Sequence, residues 1–547
     1  MKLFLFTVGF LYLQLNVLMA KEKQKLTADI IITNGTIYTV DAKWHVYEAM
    51  AIKDGKILAL GSDKKILTKY KSSKKINADK KFVYPGFIDA HCHFSAYGLD
   101  KYKCELSGTR SYAEVVSKVV AYDKTNTLSW VYGRGWDQNK WPVKEFPAKD
   151  TLDELFPDKP VILQRIDGHA LLCNQKALDM ANITRKTKIK GGTIEKDKDG
   201  NLTGILIDNA MDPAERLINT LPPNQANGYL MEAEKECYAA GLTGVVDCGV
   251  SKRIITILKR LYQNDTLSIG NYVLVSDDTD ALNAYASAGR RQYGQMQIVG
   301  IKMYADGALG SRGACLKEDY TDRPGERGLL LAPKEHYDSM ARTALQYDLQ
   351  LCTHAIGDSA NELMLKLYMP YLGGKNDKRW RIEHAQIVDP ADQHYFKDYS
   401  VVPSVQPTHA TSDAPWAETR LGRKRMKGAY AYNDLLKQAG YIALGTDFPV
   451  EDISPIATYF TAVYRTNKPK GIPFQPENAL KKKDAIRGMT LWAAKSVFMD
   501  TKKGSLEPGK DADIVILDKD LMKAPQEQIL KTKVIYTIMT GQIKYKR

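Results

Sequence analysis

The sequence predicts an α/β protein with a (β/α)8 TIM-like barrel at its centre and one small β domain built from both chain ends. Three observations carry this reading. The middle of the chain alternates short apolar strands with helical stretches. Both ends are rich in strand and turn signals. A long segment without repeats separates the first barrel strand from the second, and it reads as an inserted subdomain.

The N-terminal arm of the β domain comes first. Residues 29–40 (DIIITNGTIYTV) are rich in β-branched side chains around an Asn-Gly turn, and 49–60 (AMAIKDGKILAL) places two apolar runs around Asp54-Gly55, a hairpin signal. Candidate barrel strands follow at 83–93, 242–249, 270–275, 298–304, 349–354, 380–384, 401–406 and 442–447. Eight strands with helices between them favour a closed parallel barrel over an open sheet. The gap between the first two is about 150 residues and contains strand-like and helix-like pieces. At the C-terminal end, 512–517 (ADIVIL) is a strand and 534–542 (VIYTIMTGQ) a strand plus turn. The organisation is therefore a leader at 1–20, the N-terminal arm of the β domain at 27–82, the barrel at 83–500 with its insertion at about 100–235, and the C-terminal arm of the β domain at 501–547.

Lys2 followed by the apolar run 3–19 and Ala20 reads as a secretory signal peptide cleaved near Ala20, which places the protein in the periplasm or outside the cell. The alternative is an uncleaved anchor, because the run approaches the roughly 18 residues that span a bilayer. No cysteine follows it to carry a lipid, and no other segment is long and apolar enough to span, so stable membrane insertion is not expected after cleavage. The net charge of +14 is spread along the chain without an aromatic-interleaved basic patch, so it reads as a solvated surface and not a nucleic-acid site. Seven cysteines leave at least one thiol free, and no CxxC pair occurs; most read as buried free thiols. Homo-oligomerisation stays open.

The chemistry begins at His91-Cys92-His93. Alternate residues on a strand share a face, so the two imidazoles can share one metal. Alone, the pair could equally meet solvent at a strand end. The later strands change this. Lys302 interrupts the apolar strand VGIKMY, while His354, His384 and Asp447 each end a strand. These are metal-competent residues at the end of barrel strands where active sites lie. Imidazoles with a carboxylate suit zinc or a related divalent ion, which acidifies bound water; Asp447 can take the proton and return it to the leaving group. Lys302 as an ammonium would be a poor ligand, whereas a carbamate formed with CO2 is anionic.

These motifs resemble the amidohydrolase superfamily, and within it the amidohydrolase 3 group of YtcJ-like proteins and N-substituted formamide deformylases. The resemblance rests on 83–93 (VYPGFIDAHCH), 133–138 (GRGWDQ), 165–178 (RIDGHALLCNQKAL), 302–313 (KMYADGALGSRG), 353–358 (THAIGD), 382–386 (IEHAQ), 445–449 (GTDFP) and 504–518 (GSLEPGKDADIVILD). It implies a β-sandwich beside the barrel. It also implies His91, His93 and Asp447 on a buried metal, His354 and His384 on a second, and a carbamylated Lys302 between them, with one ion or two left open. It brings His169 into the active site to contact substrate, the alternative being a turn histidine. Trp136 and Asp137 either line the pocket or pack. Arg312, in the loop 307–313, either meets an anionic substrate or fixes the loop, and His409 lies at the barrel end where it can touch substrate. The expected activity is hydrolysis of a non-peptide carbon–nitrogen bond in a small molecule, such as an amide, formamide or cyclic amide. The competing expectations are an ester, lactone or phosphoester at the same centre, or a non-catalytic exported protein that binds metal or ligand.

Overall fold

The computed structural model describes residues 25–99, 103–126, 128–218 and 223–547; the leader expected at 1–20 lies outside them. Its centre is a ring of eight parallel strands: β1 (Phe87–Cys92), β2 (Leu242–Val250), β3 (Gly270–Ser276), β4 (Met296–Tyr304), β5 (Gln350–Ala355), β6 (Arg381–His384), β7 (Val402–Val405) and β8 (Ala443–Leu444), hydrogen-bonded in that order. Helices connect the strands from β2 onward. The one over Lys252–Gln263 shows why: Ile255, Leu258 and Leu261 form an apolar stripe that packs inward while lysines and arginines face out.

Every residue of β1, β5 and β6 is buried, as a strand covered on both faces requires. One apolar cluster draws on seven of the eight strands, among them Ala90, Val246, Leu274, Val299, Cys352, Val402 and Ala443, so it fills the inside of the ring. The ring closes between β8 and β1 outside the regular ladder. The Asp447 amide donates to the His91 carbonyl at 2.8 Å and the His93 amide to the Phe448 carbonyl at 2.8 Å. Asp89 adds a side-chain clamp, accepting from the Thr446 amide at 3.0 Å and its hydroxyl at 2.7 Å. This is why β8 is shorter than the sequence predicts: its last residues leave the ladder to bond β1.

The expected sandwich is present. Ile30–Thr33, Ala49–Lys53, Lys56–Gly61 and Lys74–Asn77 form one sheet. The other joins Thr36–Tyr38, Val46–Tyr47 and Phe82–Pro85 to Ile514–Leu517, Val534–Met539 and Gln542–Lys546 from the C-terminal end. Isoleucines from both sheets, including Ile32, Ile52, Ile514 and Ile538, make the core between them. The predicted strand 83–93 is two strands, one in the sandwich and one in the barrel. Gly86 is the joint, and a Cβ there would lie 2.3 Å from the Thr243 side chain.

The insertion is a six-stranded mixed sheet of Cys104–Glu105, Val131–Trp136, Val161–Arg165, Ala170–Cys173, Leu202–Asp208 and Gly192–Lys196, in that order, with an apolar cluster on each face. Among the described residues no helix is long and apolar enough to cross a membrane.

Candidate metal centre

His91 and His93 leave the end of β1 with both rings oriented from behind. His91 donates from Nδ1 to Glu383 Oε2 at 2.5 Å, and His93 from Nδ1 to the Cys248 carbonyl at 3.0 Å. Each Nε2 is thereby free to face Asp447, whose Oδ1 lies 3.4 Å from His91 Nε2 and 3.2 Å from His93 Nε2. Glu383 is itself gripped by Arg381, at 2.6 Å from Nε and 2.8 Å from Nη2. Burial pushes the Glu383 carboxyl up, but Arg381 and His91 more than offset this and hold it well below the ordinary carboxylate range.

His384 ends β6 in a left-handed turn, φ +70°, which turns its ring inward. It donates from Nδ1 to Gln406 Oε1 at 2.7 Å. Its ring centroid lies 4.6 Å from that of His354 and 4.8 Å from that of His91. Burial pushes His354 and His384 well below the ordinary imidazole value, so both rings are neutral at physiological pH, the form a metal accepts. Lys302 is fully buried on β4, with Nζ 4.5 Å from the centre of the Tyr304 ring.

Five buried polar atoms in this region make no hydrogen bond: His91 Nε2, His354 Nε2, His409 Nε2, Asp447 Oδ1 and Lys302 Nζ. Buried polar groups are normally satisfied. Imidazole nitrogens and a carboxylate left together without partners are the donor set of a divalent ion. Two sets lie within 4.8 Å internally and share Asp447, namely His91, His93 and Asp447, and His384, His409 and Asp447. His409, read from the sequence as a substrate contact, thus stands at ligand distance, with Nε2 3.6 Å from Asp447 Oδ2. A third set, His91, Cys248 and Glu383, is also compact, but the Glu383 oxygens are taken by Arg381 and His91.

The centre floors a cavity of about 1030 Å³, walled on one side by barrel residues such as His93, Lys302 and Asp447 and on the other by Asp137, Arg165 and His169 of the insertion. His169 sits with its ring centroid 5.1 Å from that of His354. Asp137 lines the wall and pairs with Arg165 at 2.6 Å. For two residues whose role the sequence left open, the structure favours the packing alternative. Trp136 is outside the cavity wall: it packs against Trp141 and Phe146, and its Nε1 donates to the Leu163 carbonyl at 2.8 Å. Every residue of Val131–Trp136 is buried, so strand alternation could not reveal which face met substrate. Arg312 lines a separate cavity of about 460 Å³ and donates from Nη2 to Asp322 at 3.0 Å, a carboxylate it shares with Arg420, so it fixes its loop. Sequence reasoning missed Arg381 and Glu383, although two opposite charges two residues apart in an apolar strand signal a same-face pair.

A family model described as the amidohydrolase family matches residues 74–545, and the chain belongs to that family. Among curated relatives, Protein LONG AFTER FAR-RED 3 of Arabidopsis thaliana is 33% identical, covering 90% of this chain and 87% of its own. A Bacillus subtilis protein named "Putative amidohydrolase YtcJ" is 30% identical over 94% of this chain and 98% of its own. The N-substituted formamide deformylase of Arthrobacter pascens is 24% identical over 95% and 98%. The fold is shared with a crystal structure of an uncharacterized metal-dependent hydrolase from Pyrococcus horikoshii, at TM-score 0.74 and 29% identity, covering 91% of this chain and 99% of that one.

Proposed function

We propose that this chain hydrolyses a carbon–nitrogen bond other than a peptide bond, in an amide, formamide or cyclic amide, with one or two divalent ions, zinc being the best fit to the donors. The observation that carries this is the convergence of unpartnered imidazole and carboxylate atoms on the cavity floor. The choice of bond is supported by the formamide deformylase relative, and a small-molecule substrate by the size of the cavity. His91, His93 and Asp447 would hold one ion and His354 and His384 a second, with a carbamylated Lys302 as a further anionic ligand; when bound, such ions supply Lewis acidity and lower the pKa of water at the site. The unpartnered, fully buried Lys302 Nζ supports the carbamate. The apolar leader supports export.

The chain's own residues do the rest. Burial pushes the Asp447 carboxyl up, but His91 and His93 hold it well below the ordinary range, so it is ionised; as a carboxylate on the cavity floor it would take a proton from water and hand it to the departing nitrogen. His169, on the opposite wall, faces the substrate.

The test is turnover of N-benzylformamide and a panel of amides, lactams, esters, lactones and phosphoesters by the metal-loaded protein and by Asp447→Asn and His91→Ala. Both variants are expected to be folded by circular dichroism and inactive. Turnover retained by folded Asp447→Asn overturns the mechanism, and turnover of esters alone overturns the choice of bond.

A further inference from the structure

We propose that Asp208 is the positioning residue for His169, holding it in the tautomer whose Nε2 faces the substrate, and that Gly307 and Gly313 are glycines in order to admit its carboxylate. This rests on the reading of the cavity as the reaction site.

The two residues face each other across neighbouring antiparallel strands of the insertion, where Ala170 pairs with Ile207. The Asp208 amide donates to the His169 carbonyl at 3.2 Å, and His169 donates from Nδ1 to Asp208 Oδ1 at 2.7 Å. A carboxylate accepts only, so it selects the tautomer protonated on Nδ1. The other nitrogen, Nε2, is left for the cavity that His169 lines.

Asp208 reaches this place at a conformational penalty. Its backbone stands at φ +52°, ψ −130°, a region that side-chain-bearing residues avoid. Its second oxygen, Oδ2, is buried without a hydrogen-bond partner. The loop that follows β4 is shaped around it: a Cβ on Gly307 would lie 2.4 Å from Oδ2 and 2.6 Å from Oδ1, and a Cβ on Gly313 2.5 Å from Oδ2. The glycines of that loop therefore make room for the carboxylate. They let an insertion carboxylate sit against the loop that follows the Lys302 strand.

The experiment uses the full chain with 15N-labelled histidine, the His169 signals being those lost in His169→Gln. Wild type is expected to show His169 protonated on Nδ1. Asp208→Ala is expected to move the proton to Nε2, and Asp208→Asn, which keeps an acceptor oxygen, to fall between. An unchanged tautomer in folded Asp208→Ala overturns the proposal. This arm needs no substrate, so it stands even if no amide is turned over. With N-benzylformamide, Asp208→Ala is expected to lower kcat about 100-fold with KM and metal content unchanged, and to add nothing in a His169→Gln background. Losses that multiply in the double variant would show that Asp208 acts independently of His169 and overturn the proposal. Should Asp208→Ala fail to fold, Gly313→Ala displaces the carboxylate without removing it; the same tautomer change is expected, and none overturns the proposal.

Discussion

Replacing Glu383 by glutamine tests whether the buried triad behind His91 serves both the fold and the metal. Glu383 and Arg381 are fully buried, and the carboxylate accepts three bonds, from His91 Nδ1 and from Arg381 Nε and Nη2. A glutamine amide keeps one acceptor oxygen and turns an NH2 group toward one of these donors. The guanidinium then stays in the interior without its counter-charge. Breaking a buried ion pair on one side costs about 3–5 kcal/mol. Arg381 keeps the Ala90 carbonyl at 2.6 Å and the Ser404 hydroxyl at 2.9 Å, so the low end, about 3 kcal/mol, is expected. Loss of the acceptor that orients His91 is expected to weaken metal affinity by about 10- to 100-fold. Urea denaturation reads the first effect, and zinc competition against a chromophoric chelator the second. The double variant Arg381→Met/Glu383→Gln separates them: with both charges gone most of the stability is expected to return, while the metal affinity stays low. Wild-type stability and affinity in Glu383→Gln would refute the reasoning.

Three other predictions follow from the same packing. Burial, against the hydrogen bonds from Ser95, pushes Asp247 up to about 7. The folded chain therefore holds a proton that the unfolded chain releases near its ordinary value of 3.8, so this group's contribution is full below that value, falls as pH rises to about 7 and is flat above it. Asp247→Asn is expected to remove that slope from denaturation midpoints measured between pH 5 and 8, and an unaltered slope contradicts the assignment. Gly445→Ala places a Cβ 2.5 Å from the His91 nitrogen and 2.7 Å from its carbonyl oxygen; a loss of about 2–3 kcal/mol is expected, and a neutral result in thermal unfolding would mean that the closure of the ring is looser than described. All seven cysteines are free and only Cys315 is partly exposed, so a thiol reagent is expected to titrate at most one rapidly in the native protein and seven after denaturation without reductant, while any shortfall in the second count reveals a disulfide.

The features of the fold legible in the sequence were those written in local pattern. Buried parallel strands read as apolar runs, and a lysine within such a run or a histidine or aspartate at its end stands out, which is how Lys302, His354, His384 and Asp447 could be found. Asp54-Gly55 turns a hairpin between Ala49–Lys53 and Lys56–Gly61, both residues at positive φ. Asn34-Gly35 carries a similar signal yet passes the chain from one sheet to the other, because a turn signal fixes the bend and not the strand that follows as partner. Long-range pairings left no local mark. Glu383 meets His91 across 292 positions, and Asp208 meets His169 across 39. Trp136 and Arg312 stood out by residue type within shared motifs, and type alone does not say which way a side chain points.

The joint between β8 and β1 has a further consequence. Asp89 and Thr446 meet there across 357 positions of chain, and His91, His93 and Asp447 stand on its two banks. An ion shared by those three would act as a clasp on the ring. An ion that binds the assembled site and not the unfolded chain stabilises the folded ring by mass action. Loading the site is therefore expected to lengthen the protein's survival against heat and proteases in the absence of any substrate, making the cofactor a determinant of the molecule's lifetime as well as of its chemistry.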